Sequence, residues 1–263
     1  MPPAGRGSPL HPCRLPASSR RSLSDGKSFH REVEGNCGEA ASFPASAVYY
    51  DYLLHLPRGY HDFRERPLIV FLHGAGETGQ DVTILKRLDI FHYADGVVPV
   101  KDFPFIVVSP VTPQHGWDSE RVIAFLEEFL KENRLRYQID TSRIYLTGFS
   151  MGGFGTFHVA SDYPDYFAAI VPLAGGGESE KAENLLTVPT WAFHGDADDV
   201  VNYEMTSRMI DAMRALNHPN VHLTTLHDAG HGIPDLVYTK PELYRWLLKQ
   251  KKESFHSGSK HPL

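Results

Sequence analysis

Cysteine is nearly absent from this chain. Its 263 residues include only Cys13 and Cys37, with none after residue 37. That excludes a disulfide framework, a CxxC redox motif and a thiol nucleophile in the body of the chain. Long apolar runs are missing too. No stretch approaches the roughly 20 consecutive apolar residues that a membrane-spanning helix needs. A basic excess is also lacking: 26 Lys+Arg face 32 Asp+Glu, and the net charge of −6 has the wrong sign for a nucleic-acid partner. The 15 histidines are numerous but scattered, with no HExxH and no tight His/Cys cluster, so neither a metal nor another cofactor is expected.

Apolar residues make up 41% of the chain and charged residues 22%, enough for a sizeable core. The organisation divides into three parts. Residues 1–45 stand apart, because Met1–Ser24 holds five prolines, five serines and four arginines and no acid precedes Asp25. Such a segment cannot bury enough surface to order itself, and a disordered extension is expected. It also lacks the apolar h-region of a secretory signal, which makes the cytoplasm the expected location. Residues 46–252 form one domain, and residues 253–263 a polar, flexible tail.

Within the domain, strand and helix signals alternate. Val48–Leu56, Leu68–Leu72, Phe105–Val108, Arg143–Thr147, Phe167–Leu173, Thr190–Phe193 and Val221–Leu226 read as strands. The third of these is expected to stop at Ser109-Pro110. Ser119–Arg134 carries Val122, Phe125, Leu126, Phe129 and Leu130 at helical spacing, with Ser119 as its expected cap. Helices also follow Thr147 to about Tyr163 and cover Glu204–Leu216 and Pro241–Lys251. Continuous apolar strands separated by helices predict an α/β fold, a mainly parallel sheet covered by helices on both faces.

The sharpest motif is Gly148-Phe149-Ser150-Met151-Gly152, a G-x-S-x-G set between the strand RIYLT and the helix MGGFGTFHVA. A nucleophile elbow requires that context: a tight turn, small residues where the chain passes close to itself, and a serine standing clear of the sheet. A serine alcohol needs a base, and the base needs an orienting acid. Two later strand-end loops offer them. His194-Gly195-Asp196-Ala197-Asp198-Asp199 follows TWAF, and Asp228-Ala229-Gly230-His231 follows VHLTTL. The pattern makes Ser150 the candidate nucleophile and His231 the candidate base, and leaves the acid open among Asp196, Asp198 and Asp199. Attack on a carbonyl creates an oxyanion, which two backbone N–H groups must receive. Met151, after the nucleophile, and Ala75, in the loop His73-Gly74-Ala75-Gly76 after LIVFL, are the candidates. The same loop also reads as a G-x-G-x-x-G dinucleotide fingerprint from Gly74 to Gly79, with Asp95 about 20 residues on, but no second apolar strand ends at that acid.

Together FLHGAGETG, RIYLTGFSMGGFGTF, FHGDADDVV, AGH and ELYRWLLKQ resemble an α/β-hydrolase of the carboxylesterase/phospholipase-like group, which adjoins the polyhydroxybutyrate-depolymerase-like and feruloyl-esterase-like hydrolases. The resemblance runs from about Val48 to Lys251. It implies the α/β-hydrolase fold and a Ser150–Asp198–His231 triad, because the acid is the fifth residue of the family's HGxxD pattern. It implies Ala75 and Met151 as oxyanion donors. Asn202 stands where the family has a proline after its Val pair, and no aromatic residue closely follows His231.

The sixteen residues Ala174–Pro189, where lipases often insert a lid, are too few for a large cap domain. An open site acting on short carboxylic esters, small-molecule substrates, is therefore expected, with Trp117 and Phe149 lining the acyl pocket. A peptidase of the prolyl-oligopeptidase type, a thioesterase or lysophospholipase, and a non-catalytic binding module share the fold. The first usually adds a gating domain for which this chain has no room, and the last tends to lose a triad residue.

Overall fold

Each apolar run becomes a strand of one sheet. The computed structural model describes residues 39–41, 50–57, 60–62, 64–94 and 103–252. In chain order the elements are β1 (Glu39–Ala41), β2 (Asp51–His55), β3 (Arg66–Leu72), α1 (Ile90–Ala94), β4 (Ile106–Val111), α2 (Ser119–Asn133), β5 (Ile139–Phe149), α3 (Met151–Asp162), β6 (Ala169–Leu173), β7 (Thr190–Gly195), α4 (Glu204–Ala215), β8 (Val221–Leu226), α5 (Pro234–Tyr238) and α6 (Pro241–Lys249). The sheet order is β1-β2-β4-β3-β5-β6-β7-β8. β1 and β2 pair antiparallel, and every pairing from β4 to β8 is parallel.

Strand alternation splits the core into two layers. Leu68, Val70 and Leu72 of β3 face one side, together with Phe125 and Phe129 of α2, Phe157 of α3 and Met209 and Met213 of α4. Ile69 and Phe71 face the other, against Ile90 of α1, Tyr238 of α5 and Leu243 and Leu247 of α6. A central strand buried on both faces has no polar side to show, which is why LIVFL reads as a continuous apolar run. Fully burying one such aliphatic or aromatic side chain contributes about 1.5–3 kcal/mol.

Several expectations are corrected at this level. β4 does not stop at Ser109-Pro110 but runs to Val111, with Pro110 opposite Tyr52 of β2. Its pairing with β3 ends at Val108, so the missing proline N–H interrupts no ladder on that side. The cap of α2 is Asp118, whose carboxylate accepts from Arg121 N at 2.9 Å, not Ser119. The Ser119 hydroxyl instead donates to Asp162 at the far end of α3. Gly74–Gly79 leads into a 3₁₀ turn at Ala75–Glu77 rather than opening a helix, so it lacks the geometry of a dinucleotide loop. The acid of that reading, Asp95, lies outside the described residues. Of the extension expected at 1–45, Glu39–Ala41 is not structureless. Its backbone pairs with Tyr52–Leu54 as an edge strand, a use of main-chain hydrogen bonds that side-chain patterning does not reveal. The remainder of that segment, with both cysteines, and the tail at 253–263 lie outside the described residues.

Parallel pairing brings the carboxyl ends of β3, β5, β7 and β8 to one edge. Open α/β sheets carry their sites there.

Candidate active site

At that edge β5 ends in Phe149 and α3 begins at Met151, so Ser150 must turn the chain alone. Its φ of 55° and ψ of −117° lie where a residue with a side chain is rarely found, a strain of about 1–3 kcal/mol. The surroundings enforce it. Ser150 N donates to Leu173 O at 2.9 Å, and Phe154 N donates to Ser150 O at 3.0 Å. A Cβ on Gly152 would lie 1.8 Å from Leu72 O, and one on Gly148 would lie 2.4 Å from Gly152 O. Only glycine lets β5, α3 and the end of β3 approach this closely.

A serine at a helix N-cap usually accepts from the first-turn N–H groups. Ser150 makes no such bond. Its Oγ lies 2.9 Å from His231 Nε2, and His231 Nδ1 lies 2.8 Å from Asp198 Oδ2. The Asp198 carboxylate is fully buried, while His231 is 19% exposed. Burial alone would push the Asp198 carboxyl up. The hydrogen bonds from His231, Val201 N and Val200 N outweigh it and hold this carboxyl below the ordinary aspartate range. Val200 N and Val201 N donate to its Oδ1 at 2.9 and 2.8 Å. An ionised carboxylate only accepts, so His231 carries its proton on Nδ1 and leaves Nε2 to accept from the serine hydroxyl.

The other two carboxylates of the loop lie elsewhere. Asp196 accepts from His227 Nδ1 and Asp228 N, both at 2.8 Å, and so ties the β7 loop to the β8 loop. Asp199 is exposed. Neither touches His231.

Ala75 opens the 3₁₀ turn after β3, whose Gly74 packs against Phe149, and Met151 opens α3 directly after Ser150. His73, which directly follows β3, shapes the first of these turns. Its Nε2 accepts from Thr112 N at 3.0 Å, so its proton sits on Nδ1, which donates to Gly74 O at 2.6 Å. No peptide bond is cis among the described residues, and a trans peptide points its C=O and N–H in opposite directions. Holding the Gly74 carbonyl toward His73 therefore turns the Ala75 N–H away from it. Trp117 Nε1 donates to His73 O at 3.1 Å and fixes the preceding peptide.

Burial holds His73 down at about 4, against a small opposing pull from the Gly74 carbonyl. In the unfolded chain a histidine takes its proton below about pH 6.5. Between these values the unfolded chain binds more protons than the fold. Stability therefore falls as the pH drops through that window, by about 3 kcal/mol in all. Urea melts at about pH 7 and about pH 4.5 should show this loss. His73→Asn, which keeps a donor and an acceptor without titrating, should lessen it, with the buried His218 still contributing in the same direction. The same pH dependence in both proteins would contradict the assignment.

Two cavities flank the serine. A groove of about 550 Å³ includes Trp117, Ser150, Met151, Phe154, His158 and Met205 in its walls. A smaller cavity of about 360 Å³ includes His73, Gly74, Glu77, Tyr93, Phe149 and Asp235. Trp117 and Phe149, expected in one acyl pocket, line different cavities. Trp117 packs with the α2–α3 layer, whereas Phe149 packs with the opposite layer and lies 4.8 Å from the His231 ring. The Ala174–Pro189 link does not cap the site but walls the groove with Gly176, Gly177, Glu178 and Lys181. Among the described residues no three or more His, Cys, Asp and Glu side chains are grouped to hold a metal ion, and no helix is long and apolar enough to cross a membrane.

Four relationships to known proteins accompany this geometry. Residues 103–237 match the family model described as phospholipase/carboxylesterase. The chain is 30% identical over 184 residues to the bifunctional acetylxylan esterase/xylanase of Neocallimastix patriciarum, covering 68% of this chain and 26% of that protein. It is 41% identical over 132 residues to poly(3-hydroxyalkanoate) depolymerase C of Paucimonas lemoignei, covering 46% of this chain and 30% of that one. The chain thus spans less than a third of the length of either relative. A solved structure of a thermostable esterase superposes with a TM-score of 0.71 at 28% identity, covering 82% of this chain and 63% of that one.

Proposed function

The chain belongs to the phospholipase/carboxylesterase family of α/β-hydrolases, and on that premise we propose that it is a serine esterase acting on short-chain carboxylic esters through an acyl-enzyme. The observation that carries this reading is the unbroken chain from Ser150 Oγ through His231 to the buried Asp198 carboxylate, at 2.9 and 2.8 Å. His231 Nε2 takes the serine proton as Oγ attacks the ester carbonyl. The N–H groups of Met151 and Ala75 receive the oxyanion, each worth about 2.7–4 kcal/mol in the transition state. The intermediate collapses as His231 returns that proton to the leaving alcohol, and the acyl group stays on Ser150. Water then attacks the acyl-enzyme, gives its proton to His231 and frees the acid, and the serine oxygen recovers its proton from His231. No metal and no cofactor enter these steps.

Chain-length preference follows from the groove. Met151, Phe154, Gly155 and His158 lie on one face of α3, and His158 sits roughly 12 Å along the helix axis from Ser150. Near the serine the walls are Met151, Trp117 and Phe154. At the far end His158 pairs with Glu178 at 3.2 Å, and Lys181 pairs with Asp162 at 3.0 Å and Glu178 at 3.3 Å. A methylene gains up to about 0.8 kcal/mol when it leaves water for apolar wall, and it gains nothing against a solvated ion pair. Across p-nitrophenyl esters, kcat/KM should peak between acetyl and butyryl and fall by decanoyl, with no jump in rate above the substrate's solubility limit. Preference for palmitoyl esters, or activation at an oil–water interface, would overturn the short-ester reading in favour of a lipase or lysophospholipase. Faster cleavage of peptide anilides than of any ester would favour the peptidase.

A further inference from the structure

The carboxylate that orients His231 is shared with a second histidine. His194 stands at the end of β7, on the face that looks toward α4, and its side chain is fully buried. Its Nε2 lies 3.1 Å from Asp198 Oδ2 and 3.0 Å from Val201 O. Both partners can only accept, so this nitrogen carries a proton and points it between them. On the other side Nδ1 lies 2.6 Å from Thr206 Oγ1. That hydroxyl in turn donates to Gly175 O. The ring is therefore tethered to α4 and to the start of the β6–β7 link, and no water reaches it.

We propose that His194 is a positioning residue for the triad, whose Nε2–H shares Asp198 Oδ2 with His231 and so limits how strongly Asp198 holds the His231 imidazolium. The inference rests on the triad reading above. Asp198 receives four donors, namely His231, His194, Val200 N and Val201 N, about as many as a carboxylate has lone pairs. Of these, His231 is the one that gains and loses a proton in each half-reaction. Oδ2 divides its charge between two imidazole donors, so the His231 imidazolium is stabilised less than by an unshared carboxylate. A base held too strongly protonated is a poor acceptor at neutral pH and a slow donor to the leaving alcohol. The titratable side chains packed on His194 are Asp198 from its own loop and Tyr203 from the turn into α4, whose ring lies 5.7 Å away. Those packed on His231 are Ser150 from the elbow and Asp198, and the neutral ring of Phe149 covers it.

The sign is the same whatever the charge on His194. Taking its donor away leaves Oδ2 to His231 alone, strengthens that bond and moves the acidic limb of kcat/KM to higher pH. For p-nitrophenyl acetate, measured from about pH 5 to 9, His194→Phe should move the limb up by about half to one unit, the scale of one ordinary net hydrogen bond. His194→Gln, which can still donate an amide N–H to Oδ2, should leave the limb where the unaltered protein has it. A residue that only fills space would lower activity or melting temperature without moving the limb. A folded Phe variant with an unmoved limb, or a Gln variant shifted as far as the Phe variant, overturns the proposal. A Phe variant that does not fold leaves the question to the unaltered protein. There, long-range ¹H–¹⁵N spectra of histidine-labelled protein should show a proton on His194 Nε2, with that resonance moving as His231 titrates. A His194 Nε2 without a proton, or a resonance blind to the His231 transition, is the contrary result. This readout needs no turnover, and failure of a fluorophosphonate to label Ser150 would count against the triad rather than against the shared carboxylate.

Discussion

Replacing Ser150 by alanine should lower kcat for p-nitrophenyl acetate by about 10⁶-fold, the scale on which loss of the nucleophile acts in other serine hydrolases. The fold should not notice. Alanine keeps a side chain at φ 55°, so the strain of the elbow is unchanged. One half-buried hydrogen bond to His231 is lost, worth about 1 kcal/mol. For a domain of this size that shifts the melting temperature by about 2–4 °C. Ser150→Gly separates the two roles. It removes the same oxygen but relaxes the positive φ, so it should be equally inactive and at least as stable as the alanine variant. Residual activity in both variants above about a thousandth of the parent rate would mean that another group performs the attack.

Asp198→Asn should lower kcat by about 10⁴-fold. The loss is larger than the removal of a charge alone suggests, and the local geometry says why. The amide oxygen is claimed by Val200 N and Val201 N, which occupy the place of Oδ1. The amide N–H₂ is then left facing His231 Nδ1, which must give up its proton and accept. That moves the imidazole proton to Nε2, opposite the serine hydroxyl, and no base remains where one is needed. Asp196→Asn keeps an oxygen to accept from Asp228 N and disturbs a surface pair with His227, at 37% and 83% side-chain exposure, so it should change kcat by no more than a few-fold. Asp199→Asn should do less still. Kinetics of the three variants side by side decide it, and a larger loss at Asp196 or Asp199 would contradict the assignment of Asp198.

The elbow is legible in the sequence because every requirement on it is local. A strand must end, one residue must turn, and a helix must begin, with glycines at the two places where the chain meets the end of β3. GFSMG between RIYLT and a helix states all of that within a few residues. The two later loops are legible for a similar reason, since a parallel sheet delivers every strand end to one edge. What is not legible depends on which layer a side chain joins. Trp117 and Phe149 stand out equally as aromatics near the site, and only the folded sheet, with the β4–α2 loop packed on one face and the end of β5 turned to the other, sends them to different cavities. The cap of α2 lies one residue earlier than expected because Asp118 and Ser119 are both good caps, and a distant Asp162 claims the serine. Pro110 reads as a stop, yet it is tolerated because β3 has already ended its pairing.

The two histidines beside the site have a weak signal that could have found them. His73 directly follows β3 and His194 is the last residue but one of β7, each just before a glycine, in FLHG and AFHG. A polar ring buried at a strand end must find partners in the fold. Both find them in the loops that bear the chemistry, His73 on the Gly74 carbonyl and His194 on Asp198. Sequence patterning gives the position of such a residue but not its partner.

The central claim is that Ser150 carries the acyl group, and trapping that intermediate tests it most directly. The protein would be mixed with p-nitrophenyl acetate, quenched in acid within the first turnovers and digested for mass spectrometry. The account predicts one added acetyl group, on the peptide that contains Ser150, forming together with the burst of p-nitrophenol and absent from Ser150→Ala. Acetyl found on another side chain, or a burst that persists in the alanine variant, would contradict it.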